Sequence, residues 1–170
     1  MRPVFLIGFM GAGKTTVGRL VAARAGMGFI DLDEDVAAAE GATVGAIFES
    51  RGEAGFREAE RDALAARAQD EDIIVACGGG IVTDEGSRSI LGSAGTAVYL
   101  AVSPQEAIAR IGSETSARPL LCSDPSAVAA LLESREPLYR ATAAFTVDTS
   151  GLCAERVADR VSGLVGVPGA

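Results

Sequence analysis

Residues 8 to 15 read Gly8-Phe9-Met10-Gly11-Ala12-Gly13-Lys14-Thr15, two glycines around a four-residue spacer followed by lysine and threonine, the pattern GxxxxGK[ST]. Upstream, Pro3-Val4-Phe5-Leu6-Ile7 is a continuous apolar run, as expected of a strand buried on both faces of a parallel sheet. Downstream, Val17, Leu20 and Val21 recur at helical spacing from Lys14 to about Ala25, and Gly26 stands where a helix C-cap is needed. Strand, glycine loop and helix in this order make a phosphate cradle: the glycines let backbone N–H groups converge on phosphate oxygens, and the helix N-terminus adds positive potential. Lys14 then reaches the β- and γ-phosphates of a nucleotide, and Thr15 offers a hydroxyl to Mg²⁺. Gly11, Ala12, Gly13, Lys14, Thr15 and Thr16 are the expected ATP ligands. The plain alternative is a glycine turn capped by a threonine.

Working outward, residues 29 to 32, 73 to 77 (IIVAC), 97 to 102 (AVYLAV) and 145 to 147 read as further strands. The acidic turn Asp31 to Asp35 opens a helix for which Asp33 or Asp35 could be the N-cap. Thr43 starts a longer helical stretch, interrupted at Gly52 and resuming through Phe56, Ala59, Ala63 and Leu64 to about Ala68. Ser103-Pro104 and Asp124-Pro125 are cap-plus-proline helix starts, the second helix disturbed at Pro137. Between them, residues 112 to 123 are polar and aperiodic, as a lid would be. A terminal amphipathic helix carries Val157, Val161 and Leu164 on one face. Strands alternating with helices predict a three-layer α/β/α fold with a central parallel sheet of about five strands, in one domain spanning 1–170. Ligands of such sheets bind at the carboxyl ends of the strands, where the glycine loops 8 to 13 and 78 to 80 both lie.

Composition narrows the partners. The 170 residues carry a net charge of -8, which opposes binding to nucleic acid backbones and anionic membranes. No run approaches the ~18 apolar residues of a membrane span, and the short N-terminal apolar run is a strand and not a leader. A cytoplasmic protein with neither nucleic acid nor membrane as partner is expected, as a monomer. The three cysteines, Cys77, Cys122 and Cys153, form no CxxC pair, and the chain has no histidine to complete a zinc site. Without histidine, acid–base work falls to carboxylates. An anionic ligand must be gathered by local arginines working against the overall field.

A phosphate loop identifies a nucleotide and not a reaction. GFMGAGKTT at 8–16, DLDED at 31–35, GFREAE at 55–60, CGGG at 77–80, ARPLL at 117–121 and SREPLYR at 134–140 appear in one order, and with them the chain resembles the shikimate kinases over about residues 4 to 149. The resemblance implies a nucleoside-monophosphate-kinase-like fold with substrate-binding helices over about 32–62 and a lid over about 112–123. It also implies ATP-dependent phosphorylation of a shikimate hydroxyl.

Residue by residue, each implied role stands beside a simpler one. Alternation along an extended segment would point Asp31 and Asp33 the same way, with Asp31 nearer Mg²⁺, through water, and Asp33 nearer the acceptor. The resemblance makes Asp33 the acceptor ligand and base; helix capping is the simpler reading. Arg57 becomes a forked ligand of the shikimate carboxylate, braced by Glu60, or else half of a surface ion pair. Arg135 matches a second carboxylate arginine, or is an ordinary helical arginine. Gly79 and Gly80 would bring backbone N–H donors to the acceptor, or merely make a tight turn. Arg118 matches the lid arginine over the transferring phosphoryl group, or is a solvated loop residue. Arg110 matches a position stacked on adenine, or is a polar helix end.

Two departures stand out. Many members have another arginine after the VDT segment, whereas here VDT runs into Ser150-Gly151-Leu152; members often have Ser or Thr near the metal where this chain has Ala76-Cys77. The competing readings are another small-molecule kinase, such as a gluconate kinase, and a non-catalytic ATP-binding module.

Overall fold

The computed structural model describes residues 1–113 and 124–167. The expected lid therefore lies almost wholly outside the described residues, and Arg118 and Cys122 with it. Five strands form one sheet in the order β2-β3-β1-β4-β5: β1 (Val4–Ile7), β2 (Gly28–Asp31), β3 (Ile73–Ala76), β4 (Thr96–Ala101) and β5 (Phe145–Asp148). Every pairing is parallel, with Leu6 opposite Ala76 on one side and Val98 on the other. Helices α1 (Lys14–Ala25), α2 (Leu32–Glu40), α3 (Val44–Arg67), α4 (Glu85–Ala94), α5 (Pro104–Ser113), α6 (Pro125–Thr142) and α7 (Ala154–Val165) connect and cover it. This is the predicted α/β architecture, with strand limits shifted by a residue or two.

The central strands read as apolar runs because both faces are covered. Val4, Phe5, Leu6 and Ile7 are buried, as are Ala97 to Leu100, which is what a parallel sheet between helical layers demands. Val36, Ile47, Phe56 and Ala59 make a second, smaller cluster between α2 and α3. Among the described residues, no helix is long and apolar enough to cross a membrane.

Local chemistry explains where the elements start and stop. Asp31, and not Asp33 or Asp35, caps α2: its Oδ1 accepts the Asp33 N–H at 3.2 Å. Thr43 caps α3 by accepting from the Ala46 N–H, and Asp124 caps α6 from Ser126 and Ala127. The expected interruption at Gly52 is present as a non-helical residue at φ 68°, ψ −175°. Pro137 does not end its helix, because it sits on the exposed side of α6, where water can meet the carbonyl that loses its donor. Leu164 is 40% exposed rather than part of the core; Ala158 and Ser162 join Val157 and Val161 on the buried face of α7. A 3₁₀ turn at Ile81–Thr83 and helix α4 are additions to the predicted elements, α4 capped by Asp84, whose Oδ1 accepts the Ser87 N–H at 2.7 Å.

At the end of β1 the chain turns through Gly8, at φ 147°, where a Cβ would stand 2.5 Å from the Leu100 carbonyl oxygen of the neighbouring strand. Gly8→Ala is therefore expected to destabilise the protein by about 1–3 kcal/mol, through a backbone conformation that L side chains rarely adopt and a collision with fixed backbone. Chemical denaturation checks this; an unchanged midpoint would mean that the turn relaxes freely.

Candidate functional site

Two cavities open at the carboxyl ends of the strands. The first, of ≈ 340 Å³, is lined by residues Gly11 to Val17 with Arg110, Thr149, Leu152, Ala154 and Val157. It thus gathers every residue expected from sequence to hold ATP apart from Arg118. Lys14 Nζ arches over its own loop, donating to the carbonyls of Gly8 (2.8 Å) and Phe9 (2.9 Å). Arg110 donates to the Gly11 carbonyl at 3.2 Å and to Thr149 Oγ1 and O at 3.3 Å, so α5 ties the phosphate loop to the turn after β5. Thr149 and Leu152 occupy the cleft wall where the resemblance implied another arginine. Sequence reasoning did not assign them; the only signal was the position of Val147-Asp148-Thr149 at a strand's carboxyl end.

Between the cavities, Thr15 Oγ1 donates to Asp31 Oδ2 at 2.8 Å. Two hard oxygens this close, beside a phosphate loop, fit the donor set of Mg²⁺, which takes one or two protein oxygens together with nucleotide phosphates and water. Cys77, at the position where a hydroxyl was the commoner residue, is buried, with Sγ 3.9 Å from the Val75 carbonyl oxygen. Burial above all, then the negative charge of Glu60, pushes its thiol pKa well up, so it stays a protonated thiol and offers no thiolate to a metal.

The second cavity, of ≈ 880 Å³, brings Asp33, Arg57, Glu60, Gly78, Gly79, Gly80 and Arg135 together, with Met10, Phe48, Phe56 and Leu131 among its apolar walls. It abuts the phosphate loop: a Cβ on Gly79 would lie 3.4 Å from Met10 N and 3.6 Å from the Gly8 carbonyl oxygen. Ligands in the two cavities would therefore be neighbours, as group transfer requires. Asp33 reaches this cavity from the first turn of α2, not from an extended strand. The alternation argument for the Asp31–Asp33 pair fails, yet the helix start separates the two carboxylates, Asp31 facing Thr15 and Asp33 facing the triple-glycine turn.

Arg57 and Glu60 are not a surface pair. The Glu60 side chain is fully buried and that of Arg57 is 14% exposed; Arg57 Nη1 donates to Glu60 Oε2 at 2.5 Å. Gly80 makes room for the guanidinium, and a Cβ on Gly78 would fall against Glu60 and 2.8 Å from Asp33 Oδ1. The glycines are thus a packing requirement of this charged cluster. Arg135, from α6, reaches the same turn from the other side, Nη1 donating to the Gly79 carbonyl at 3.4 Å. Burial raises the Glu60 pKa to about 7 despite the opposing charge of Arg57.

Comparisons with known proteins agree with one another. A family model described as shikimate kinase matches residues 10–164. The shikimate kinase of Chromobacterium violaceum is 43% identical over 148 residues, covering 86% of this chain and 80% of that protein. That of Frankia casuarinae is 44% identical over 164 residues, covering 96% and 72%. Among solved structures, shikimate kinase from Acinetobacter baumannii in complex with shikimate superposes with a TM-score of 0.90 at 36% identity, over 97% of this chain and 93% of that one. Shikimate kinase from Aquifex aeolicus gives 0.81 at 30% identity, over 96% of each.

The buried Glu60 gives a signed pH dependence. Its carboxyl keeps a proton in the folded state up to about 7, whereas an ordinary one releases it near 4.5. Between these values the folded chain binds more protons than the unfolded chain, so stability falls as pH rises through that window. Glu60→Gln removes this term. From about pH 5 to pH 8 the native protein is expected to lose more stability than Glu60→Gln, by on the order of 3 kcal/mol. Parallel denaturation profiles of the two proteins would contradict it.

Proposed function

The chain belongs to the shikimate kinase family, and from that premise we propose that it is an ATP-dependent phosphotransferase that converts shikimate to shikimate 3-phosphate, a step of aromatic amino acid (chorismate) biosynthesis. The observation that carries this reading is the second cavity, where Asp33, Arg57 and Arg135 converge on a triple-glycine turn pressed against the phosphate loop. ATP is read as the phosphoryl donor in the first cavity, held by Gly11, Ala12, Gly13, Lys14, Thr15 and Thr16, with Arg110 beside the base. Arg57 and Arg135 are assigned to the carboxylate of shikimate, each able to offer a planar fork. Gly79 and Gly80 supply backbone contacts.

In the proposed reaction the acceptor hydroxyl gives its proton to Asp33 as its oxygen bonds to the γ-phosphorus. The bond from that phosphorus to the β,γ-bridging oxygen breaks, and ADP leaves with the electron pair. Lys14 and Arg118 meet the charge that builds on the transferred group; Arg118 lies outside the described residues and is assigned from its motif alone. Mg²⁺ at Thr15, with Asp31 through water, would neutralise phosphate charge. A cytoplasmic monomer acting on a small molecule, without nucleic acid or membrane, completes the reading and suits a net charge of -8.

ATP consumption measured separately with shikimate, gluconate, nucleoside monophosphates and no acceptor tests the activity: sustained turnover is expected with shikimate alone. Equal turnover with gluconate would favour a different polyhydroxy-acid kinase, and none with any acceptor a binding module. Within the site, Asp33→Asn is expected to lower kcat by roughly 10²-fold or more. Arg57→Lys and Arg135→Lys should each lower kcat/KM for shikimate by ~30- to 1,000-fold, because an ammonium cannot replace the fork. Near-native kinetics in these folded variants would remove the roles assigned to them.

A further inference from the structure

Behind Arg135, one helical turn further along α6, Tyr139 is fully buried. Its hydroxyl donates to the carbonyl of Gly79, the same oxygen that accepts from Arg135 Nη1. Its ring stacks on Tyr99 of β4, centroids 4.9 Å apart with 15° between planes. The phenol is thereby wedged between the sheet and the glycine turn, and its one polar atom is spent on the turn.

We propose that Tyr139 is a positioning residue for the acceptor: by fixing the Gly79 carbonyl it sets the orientation of the Gly79–Gly80 peptide and the docking of Arg135 on the cavity wall. The physical basis is peptide planarity. There are no cis peptide bonds in the described chain, so the Gly79 C=O and the Gly80 N–H lie in one plane and point opposite ways. Holding the carbonyl on the α6 side aims the Gly80 N–H to the other side of that plane. Gly80 lines the cavity next to Arg57. The turn is closed by the Ile81 N–H on the Gly78 carbonyl at 3.2 Å, but glycines at its two central positions leave the peptide between them with little preference of its own, so the group that binds the Gly79 carbonyl selects its orientation.

Phenol chemistry suits the task. Burial, which outweighs the nearby Arg135 charge, raises the Tyr139 pKa, so the hydroxyl remains a donor at any pH at which the enzyme works. Arg135 shares the acceptor oxygen and lies four residues earlier on the same helix face. Loss of the hydroxyl would therefore loosen both the turn and the arginine, while leaving the nucleotide cleft untouched, since Tyr139 does not line it.

The proposal rests on the kinase reading above, and the test separates the two. Tyr139→Phe keeps the ring and its stacking and removes only the donor. With native enzyme turning over shikimate, the variant should show a KM for shikimate raised about tenfold, kcat lowered less than about threefold, and an unchanged KM for ATP. A purely structural tyrosine would lower the melting temperature and leave the two KM values in their native ratio; that result, or an unchanged KM for shikimate, overturns the proposal while the kinase reading stands. Absence of native turnover would overturn both.

Discussion

Everything in the site depends on β1 being held between β3 and β4 in parallel register. That pairing aligns Leu6 with Ala76 and with Val98, so the chain leaves β1 and β3 at the same level and in the same direction. Two glycine loops that are about seventy residues apart in sequence are thereby pressed together, Gly79 against Gly8 and Met10. An antiparallel partner would have sent one of these loops to the opposite end of the sheet. The pairing of β2 with β3, Asp31 opposite Ala76, adds the acidic segment to the same end. Phosphate loop, metal-suited oxygens and second cavity are consequences of one topology, and each then needs only local chemistry.

The local chemistry is dominated by a charged cluster placed where charge is costly. Glu60 is buried deeply enough that its carboxyl titrates near neutrality, yet it receives a 2.5 Å hydrogen bond from Arg57. Such a pair is weak evidence for stability, since desolvation offsets much of the attraction. Its value lies in orientation: the guanidinium is held at the cavity wall, with Gly80 leaving it space and Gly78 leaving space for Glu60. Arg135 is held from the opposite side through the Gly79 carbonyl. Arg57 and Arg135 share this cavity with Asp33, Glu49, Glu53 and Glu60, so the two cations are set among carboxylates rather than in a positive patch, and it is their placement, not the sum of the local charge, that distinguishes the wall they form.

The fold was legible because its strands are short apolar runs punctuated by glycine, and its helices begin at Thr43, Ser103-Pro104 and Asp124-Pro125, which carry their own capping chemistry. Helix α4 was not, because Asp84-Glu85-Gly86-Ser87 has a cap but little apolar periodicity behind it. That α6 runs on through Pro137 could not be read either: a proline's cost depends on which side of the helix it faces, and this is a tertiary fact. In the site, the phosphate loop could be read from eight residues. The depth of the Arg57–Glu60 pair could not, since spacing of three on a helix fits an exposed pair equally well. The alternation argument for Asp31 and Asp33 was incorrect, because Asp31 takes the cap and turns the chain into α2, so that Asp33 enters the second cavity from the first turn of a helix. Tyr139 carried no signal of its own, because a tyrosine on an apolar helix face is ordinary until the partner of its hydroxyl is known.

The central claim is that this site selects its acceptor by a carboxylate held between two arginine forks. The most direct measurement is kcat/KM of the native enzyme for shikimate and for its methyl ester, which keeps the ring and hydroxyls and removes the charge. Losing charge-assisted hydrogen bonds at a partly buried position should make the ester poorer by ~30-fold or more. An ester phosphorylated as efficiently as the acid would contradict it, and the two arginines would then have some other purpose.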